Sequence, residues 1–482
     1  MSKINKQPVI RQTIVSGAIW SILDNAAAQA ITFVIFIILA RLLSPSIYGM
    51  LSISLLVSQF FRSVIFDSIA TSIVRIEKPT NQDYNSALLL CFLFSLPAFL
   101  IVFFSAPIIE KIMGIDQLAN VIRGTSIIIL VSGLSRIHEA WLSHNMLFRP
   151  LAIRSIISIS LGGVTGIFLA YKGFAVTSLV MQQVVTSLVS SITLWIVTPW
   201  KPGFSFSRNS IKSSLNFSKH VALSGITNFA NQNSDIFFIT YFLGAAPAGI
   251  YSAGKRIVNT LNIVLASALM RVSLPAFSRL KNNLPEFRKH YLNATYFTIL
   301  ITAPAFLGLA YLSHDVTLLL LGTKWIDSVP IMQIVSAIGF VISIGYYNHS
   351  VMFARDKPEW QARLTLLYAI TNVIVFYIFV RFGIIVTALA FSLRTLILYP
   401  VSAWCALTLL EIKWMEYILQ LVAPTFSAFA MCISLWGVDH FIAMNTGWIK
   451  VIFDIIVGIV LYSAFIFSSS KKIRKVIMEK IS

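Results

Sequence analysis

The chain has 482 residues, of which 57% are apolar and only 11% charged, with 36 Phe and a formal net charge of +19. Its mean hydropathy is +0.82. Soluble globular domains carry about 25% charged residues, so a soluble enzyme, a disordered tail protein and a disulfide scaffold are excluded. An all-α polytopic membrane protein remains.

The basic start holds Lys3, Lys6 and Arg11 ahead of an apolar run. Asn25–Ala30 has the look of a signal cleavage site, but the apolar segment continues to Leu43, long enough to span. The start is therefore read as the cytoplasmic end of the first helix. Breaks at charge and Gly/Pro clusters predict fourteen spans. In chain order they are 14–41, 47–74, 85–109, 119–145, 151–171, 174–198, 214–242, 247–275, 293–321, 328–352, 361–381, 384–408, 414–437 and 446–468. Each meets the length of about 20 mostly apolar residues that a bilayer requires.

With both termini inside, most of the 37 Lys and Arg fall in cytoplasmic segments, as the positive-inside rule expects. Among them are Arg75, Lys78, Lys201, Arg208, Lys212 and Lys219. The connectors around 198–213 and 276–292 are basic, and none is large enough for a soluble catalytic domain. Cys91, Cys405 and Cys432 lie in apolar runs without metal spacing and read as packing residues. The histidines are scattered, and there is no nucleotide-binding glycine loop.

Residues 33–54 and 233–254 align without gaps at an offset of 200, with Leu43 on Leu243, Gly49 on Gly249 and Ser52 on Ser252. Six spans separate the copies, so both halves run in the same sense, a parallel repeat. The predicted organisation is an N-terminal lobe (1–198, spans 1–6) and a basic linker (199–213). A C-terminal lobe (214–408, spans 7–12) and two further spans with a basic tail (409–482) follow.

Charges inside spans are costly, about 2.5–3.5 kcal/mol each on insertion scales. This chain places Asp24 in span 1, Arg62 and Asp67 in span 2, Arg136 and Glu139 in span 4, Asp235 in span 7, Lys255 and Arg256 in span 8, and Arg394 in span 12. Polar stripes accompany them: Ser224, Asn228, Asn231 and Asp235 on span 7, and Ser252, Lys255, Asn259 and Asn262 on span 8. Their spacing marks single helix faces. Such faces avoid lipid. They serve either as interhelical bonding or as the lining of a hydrated cavity. Arg136 and Glu139, three residues apart, equally suit a local ion pair.

Several segments resemble one family. Leu39-Ala40-Arg41-Leu42-Leu43-Ser44-Pro45 through Tyr48-Gly49 is similar to the first-hairpin signature of polysaccharide exporters. Phe66-Asp67 with Val74-Arg75-Ile76-Glu77-Lys78, Phe148-Arg149-Pro150-Leu151, Leu243-Gly244 with Gly249-Ile250-Tyr251, Leu274-Pro275-Ala276-Phe277 and Gly322-Thr323-Lys324-Trp325 follow in order. Over residues 14–350 the chain resembles the Wzx/WzxC-type lipopolysaccharide and exopolysaccharide flippases. These belong to the MOP exporter superfamily, which also holds the MATE drug exporters and the lipid II flippases.

The resemblance implies two six-helix lobes and alternating access about a cavity lined by spans 1, 2, 7 and 8. It implies a non-enzymatic flippase moving undecaprenyl-pyrophosphate-linked oligosaccharide across the bacterial inner membrane, without nucleic acid and without a bound cofactor. Coupling would be to a proton or sodium gradient, and a glycan polymerase and export machinery would be partners. On this reading Arg62, Arg256 and Arg394 contact pyrophosphate or acidic sugar. Arginine's fork suits phosphate oxygens. Lys255, Asn228, Asn231, Asn259 and Asn262 meet sugar hydroxyls, and Asp24, Asp67 and Asp235 balance charge or carry the coupling ion. A MATE-type exporter of cationic drugs is the alternative, and a membrane glycan polymerase or acyltransferase a distant one.

Overall fold

The computed structural model describes residues 26–270, 277, 279–442, 446–470 and 472–474, with the backbone alone over 267–270. Every regular element among them is helical. In chain order the long helices are α1 (Ala26–Leu42), α2 (Pro45–Val74), α3 (Asn81–Met113), α4 (Leu118–His144), α5 (Phe148–Tyr171) and α6 (Ala175–Val197). They continue as α7 (Arg208–Leu243) and α8 (Ala245–Met270). Then come α9 (Leu284–Tyr311), α10 (Thr323–Ala354, broken by a turn), α11 (Pro358–Phe382), α12 (Ile384–Leu410), α13 (Trp414–Ile442) and α14 (Trp448–Ser469).

Eleven of these are long and apolar enough to cross a membrane; α1, α7 and α8 are the ones that are not. The described part of α1 is 17 residues or fewer, whereas α7 and α8, with 36 and 26 residues, have the length but not the apolarity. The two long helices are those that carry the polar stripes. A helix polar along one face crosses a bilayer only when other helices or water cover that face.

Helix ends follow local chemistry. Thr80 and Asp83 close a reciprocal capping box at the start of α3, with Asp83 N donating to Thr80 Oγ1 (3.3 Å) and Thr80 N to Asp83 Oδ2 (2.8 Å). Gly114, at φ 61°, ends the same helix in the left-handed conformation that glycine adopts without strain. Ser207 Oγ accepts from Ser210 N at the start of α7, and Asn283 Oδ1 from Glu286 N at the start of α9.

The chain divides into two units, residues 1–249 and 250–482, so the division falls within α8. The first has a core of α2, α3 and α4 side chains, with Phe66, Ile69, Ile73, Ala87, Cys91, Ile129 and Ile137 buried together. The core of the second joins α9, α10, α12 and α13 through Tyr291, Ile299, Tyr347, Leu407, Tyr417 and Met431. There Tyr291 donates to Asn348 Oδ1 (2.7 Å), whose amide donates on to Ser402 Oγ (3.0 Å). Phe104, Phe168, Ile196, Leu419 and Ile433 are exposed on the outside of the helices, the pattern of a lipid-facing surface.

Candidate functional site

In the first unit, α2 changes geometry at Phe61–Phe66, which form a π-helical turn with Asp67 N bonded back to Arg62 O. Such turns insert an extra residue and re-aim the side chains they carry. This one carries Arg62, which is exposed. Helix α7 runs beside the turn on small residues. A Cβ at Gly225 would lie 3.1 Å from Ser63 O and 3.3 Å from Val64 Cα. Ser218 Oγ donates to Ser68 O (3.1 Å), and Ser72 Oγ to Ser214 Oγ (3.1 Å). Small residues allow two membrane helices to approach this closely. Phe60 and Phe229 meet edge-on at 5.3 Å beside the same turn.

One turn beyond Arg62, Asp67 faces an ionic cluster. Arg136 Nε lies 2.8 Å from Asp67 Oδ1, and Arg136 Nη1 2.7 Å from Glu139 Oε2. Arg154 Nη1 approaches the same Glu139 oxygen at 3.3 Å. Two guanidiniums and two carboxylates thus cancel. The pairing of Arg136 with Glu139 is therefore local, as the sequence allowed, and Asp67 and Arg154 extend it across three helices. Arg62 is close enough for its field to reach Glu139. It forms no ion pair among the described residues. The group of five therefore carries one surplus positive charge, at its exposed member.

The remaining candidates of this unit lie on α7. Asn228 is exposed, Asn231 half-buried and Asp235 buried. Gly225, Asn228 and Asn231 follow at three-residue spacing, so the stripe begins beside the small residues of the same helix. Asp24 lies outside the described residues.

In the second unit, Arg256 and Asn259 are exposed, while Lys255 and Asn262 are half-buried. The Lys255 ammonium stands 6.0 Å from the Tyr251 ring centre. Asn262 Oδ1 accepts a hydrogen bond from Tyr346 OH of α10. Arg394 is turned toward α11: Nη2 donates to Tyr368 O (2.6 Å) and Thr371 Oγ1 (2.8 Å), Nε to Thr371 Oγ1 (3.0 Å), and the guanidinium lies 4.9 Å from the Tyr368 ring.

A further charged group escapes sequence reasoning. Lys450 lies 2.8 Å from Asp315 and 3.3 Å from Asp439, Tyr311 OH donates to Asp439 Oδ2 (2.6 Å), and Thr446 Oγ1 to Asp315 Oδ1 (3.0 Å). Its members come from three separate stretches, 311–315, 439 and 446–450, so no single spacing announces it. Asp454 is 1% exposed, with no hydrogen-bond partner at either oxygen among the described residues. It lines a mainly apolar cavity of about 530 Å³ with Leu261, Pro304, Met431 and Gly458. Among the described residues no group of three His, Cys, Asp or Glu is placed to hold a metal ion.

Eleven long apolar helices, with ion pairs joining three of them, define the class, a polytopic helical membrane protein. The chain belongs to the polysaccharide biosynthesis protein family, whose model matches residues 38–330. That stretch contains every candidate above except Asp24 and Arg394. The chain is 29% identical to the succinoglycan biosynthesis transport protein ExoT of Rhizobium meliloti, over 67% of this chain and 66% of the relative. It is 23% identical to the teichuronic acid biosynthesis protein TuaB of Bacillus subtilis, over 90% and 91% of the two chains. It is 22% identical to the lipopolysaccharide biosynthesis protein WzxC of Escherichia coli, over 73% and 72%. Its fold is that of the lipid II flippase MurJ in an inward closed conformation, with a TM-score of 0.76 at 17% identity over 94% of this chain and 98% of that one. An inward-facing MATE transporter of the MOP superfamily follows at 0.56 and 16%, over 81% and 98%.

Proposed function

We propose that this protein is a flippase for a lipid-linked glycan. It carries undecaprenyl-pyrophosphate-linked oligosaccharide units from the cytoplasmic to the outer leaflet of the bacterial inner membrane, for lipopolysaccharide or exopolysaccharide synthesis. The observation that carries this reading is the family match over residues 38–330, within which the π-helical turn presents Arg62 as the surplus cation. A flexed helix with an exposed, fixed positive charge suits a pyrophosphate group. Arginine offers paired donors in a rigid fork, and a charge-assisted bond is roughly twice as strong as a neutral one. The relatives named for succinoglycan, teichuronic acid and lipopolysaccharide synthesis support a glycan cargo.

Within this reading Arg62, Arg256 and Arg394 take the acidic part of the cargo. Lys255, Asn228, Asn231, Asn259 and Asn262 take sugar hydroxyls. Asp67 acts as counter-charge to Arg136, and Asp24 and Asp235 are the candidates for a coupling proton or sodium ion. Two six-helix lobes, 1–198 and 214–408, move against one another by alternating access. Both termini face the cytoplasm, and a polymerase and export machinery receive the product.

The test is complementation of a deletion strain. Arg62→Ala and Arg256→Ala are expected to abolish surface glycan while the protein still inserts in the membrane at normal level. Normal glycan from both variants, together with restored resistance of the deletion strain to cationic drugs by the wild-type gene, would move the protein to the drug-exporter reading.

A further inference from the structure

The first turns of α7 and the end of α2 meet in a polar recess of the first unit. Asn209, Lys212, Asn216 and His220 recur at three- and four-residue spacing on one face of the first turns of α7, with Phe217 beside them. With Arg75, the residue that closes α2, they line a cavity of about 520 Å³. The Arg75 guanidinium lies 4.2 Å from the Phe217 ring centre, which fixes its position without neutralising it. Among the described residues no carboxylate lines the cavity. Asp83, at the start of α3, is committed elsewhere: it accepts from Ser210 Oγ (2.5 Å), Thr80 Oγ1 (2.8 Å) and Thr80 N (2.8 Å). Neither Arg75 nor Lys212 forms an ion pair among the described residues.

A recess with two cations, an imidazole and two amides, but no acid, is complementary to an anion. It lies where a membrane helix ends and another begins, on the side on which the chain concentrates its Lys and Arg. The anions held at that depth are phosphate groups of lipids. We propose that this recess is a docking site for the phosphate headgroup of an anionic membrane lipid, with Arg75 and Lys212 as its cationic contacts and Asn209, Asn216 and His220 as donors to the remaining oxygens. The proposal goes beyond glycan transport and does not depend on it. The phosphate of a carrier lipid offers the same chemistry as that of a bulk lipid, so the probes must separate the two.

The experiment is native mass spectrometry of the full-length protein in detergent, titrated with phosphatidylglycerol, with uncharged diacylglycerol as the control lipid. Inorganic pyrophosphate serves as competitor. The Arg75→Gln/Lys212→Gln double variant is expected to lose about tenfold in phosphatidylglycerol affinity, the sum of two exposed charge contacts. Diacylglycerol binding should not change, and Arg75→Lys/Lys212→Arg should retain most of the affinity. Competition by pyrophosphate would assign the site to pyrophosphate-bearing carriers as well; its absence would assign it to bulk lipid. Should the double variant fail to fold, Asn216→Asp supplies a repelling charge at the same recess and is expected to weaken phosphatidylglycerol binding alike. Equal affinity of wild type and these variants for phosphatidylglycerol would overturn the proposal. Loss of lipid binding with normal surface glycan would leave it standing, so its failure and that of the flippase reading are told apart.

Discussion

Gly49 and Gly249 stand two hundred residues apart in sequence and are pressed into one crossing. A Cβ on Gly49 would lie 1.7 Å from Ala245 O, and a Cβ on Gly249 would lie 1.9 Å from Pro45 O. The relationship is reciprocal: Gly249 stands 200 residues after Gly49, and Ala245 stands 200 residues after Pro45. The matched residues of the internal repeat therefore meet each other through their own helix starts, within the first unit. Glycine is required at both positions because the facing atoms are backbone and cannot step aside.

This crossing gives the first prediction. Gly49→Ala and Gly249→Ala each place a methyl group inside a carbonyl's contact distance, so each should lower stability by about 1–3 kcal/mol. Gly437→Ala in α13 meets nothing within 4 Å and should leave stability unchanged. Thermal unfolding of the purified protein in detergent reads the difference. Wild-type stability in both crossing variants would show that the helices there can separate freely.

Arg62 and Arg136 should part company on mutation. Arg62 lacks an ion pair among the described residues, so Arg62→Gln should remove activity without affecting the yield of folded protein. Arg136 holds Asp67 and Glu139 together, and Arg136→Gln should destabilise by up to about 3 kcal/mol by leaving two carboxylates without their shared partner. The added change Glu139→Gln should recover part of that loss. Comparing folded yield with surface glycan for the three variants checks the split.

The Arg394 guanidinium spends three hydrogen bonds on α11. Thr371→Val removes the acceptor of two of them and should cost about 1–3 kcal/mol, since the donors are half-buried and lose their partner. Arg394→Lys should not restore full stability, because an ammonium cannot reproduce the fork. Unfolding temperatures of the two variants test this. No change in either would free Arg394 from a packing role.

Asp454 sits almost wholly buried, with neither oxygen hydrogen-bonded among the described residues. A carboxyl so placed weakens the fold unless something offsets it. Asp454→Asn should therefore leave stability equal or raise it by up to about 2 kcal/mol. Lys450→Met should lower it, because Asp315 and Asp439 lose their common cation. A sharp loss of stability in Asp454→Asn would contradict the first expectation and show that the acid is bonded.

Much of the fold can be read along the chain. The apolar runs at 85–109 and 214–242 fall inside α3 and α7, since bilayer length is a local requirement, whereas the helical residues 208–213 and 284–292 read as basic connectors. Arg136 and Glu139 announce each other at three-residue spacing. Arg154 and Asp67 do not, because they join the same cluster from other helices. The Asp315–Asp439–Lys450 group is invisible for the same reason. Likewise the stripe at Asn228, Asn231 and Asp235 is visible from helical periodicity, whereas the packing of α7 on small residues against the π-helical turn needs both chains' paths. Arg394 was expected to face the cargo on its charge alone; the structure adds that Thr371 and Tyr368 already engage its donors.

By itself the sequence determined that this is a helical membrane protein with ionisable groups inside its long helical runs. Those properties follow from composition, run length and periodicity, each of which acts over a few neighbouring residues. Only the tertiary structure decided which charges cancel, which donors are engaged, and where Gly49 meets Gly249. Those outcomes depend on distances between segments that the chain brings together from far apart, and Coulomb and packing energies are set by those distances alone.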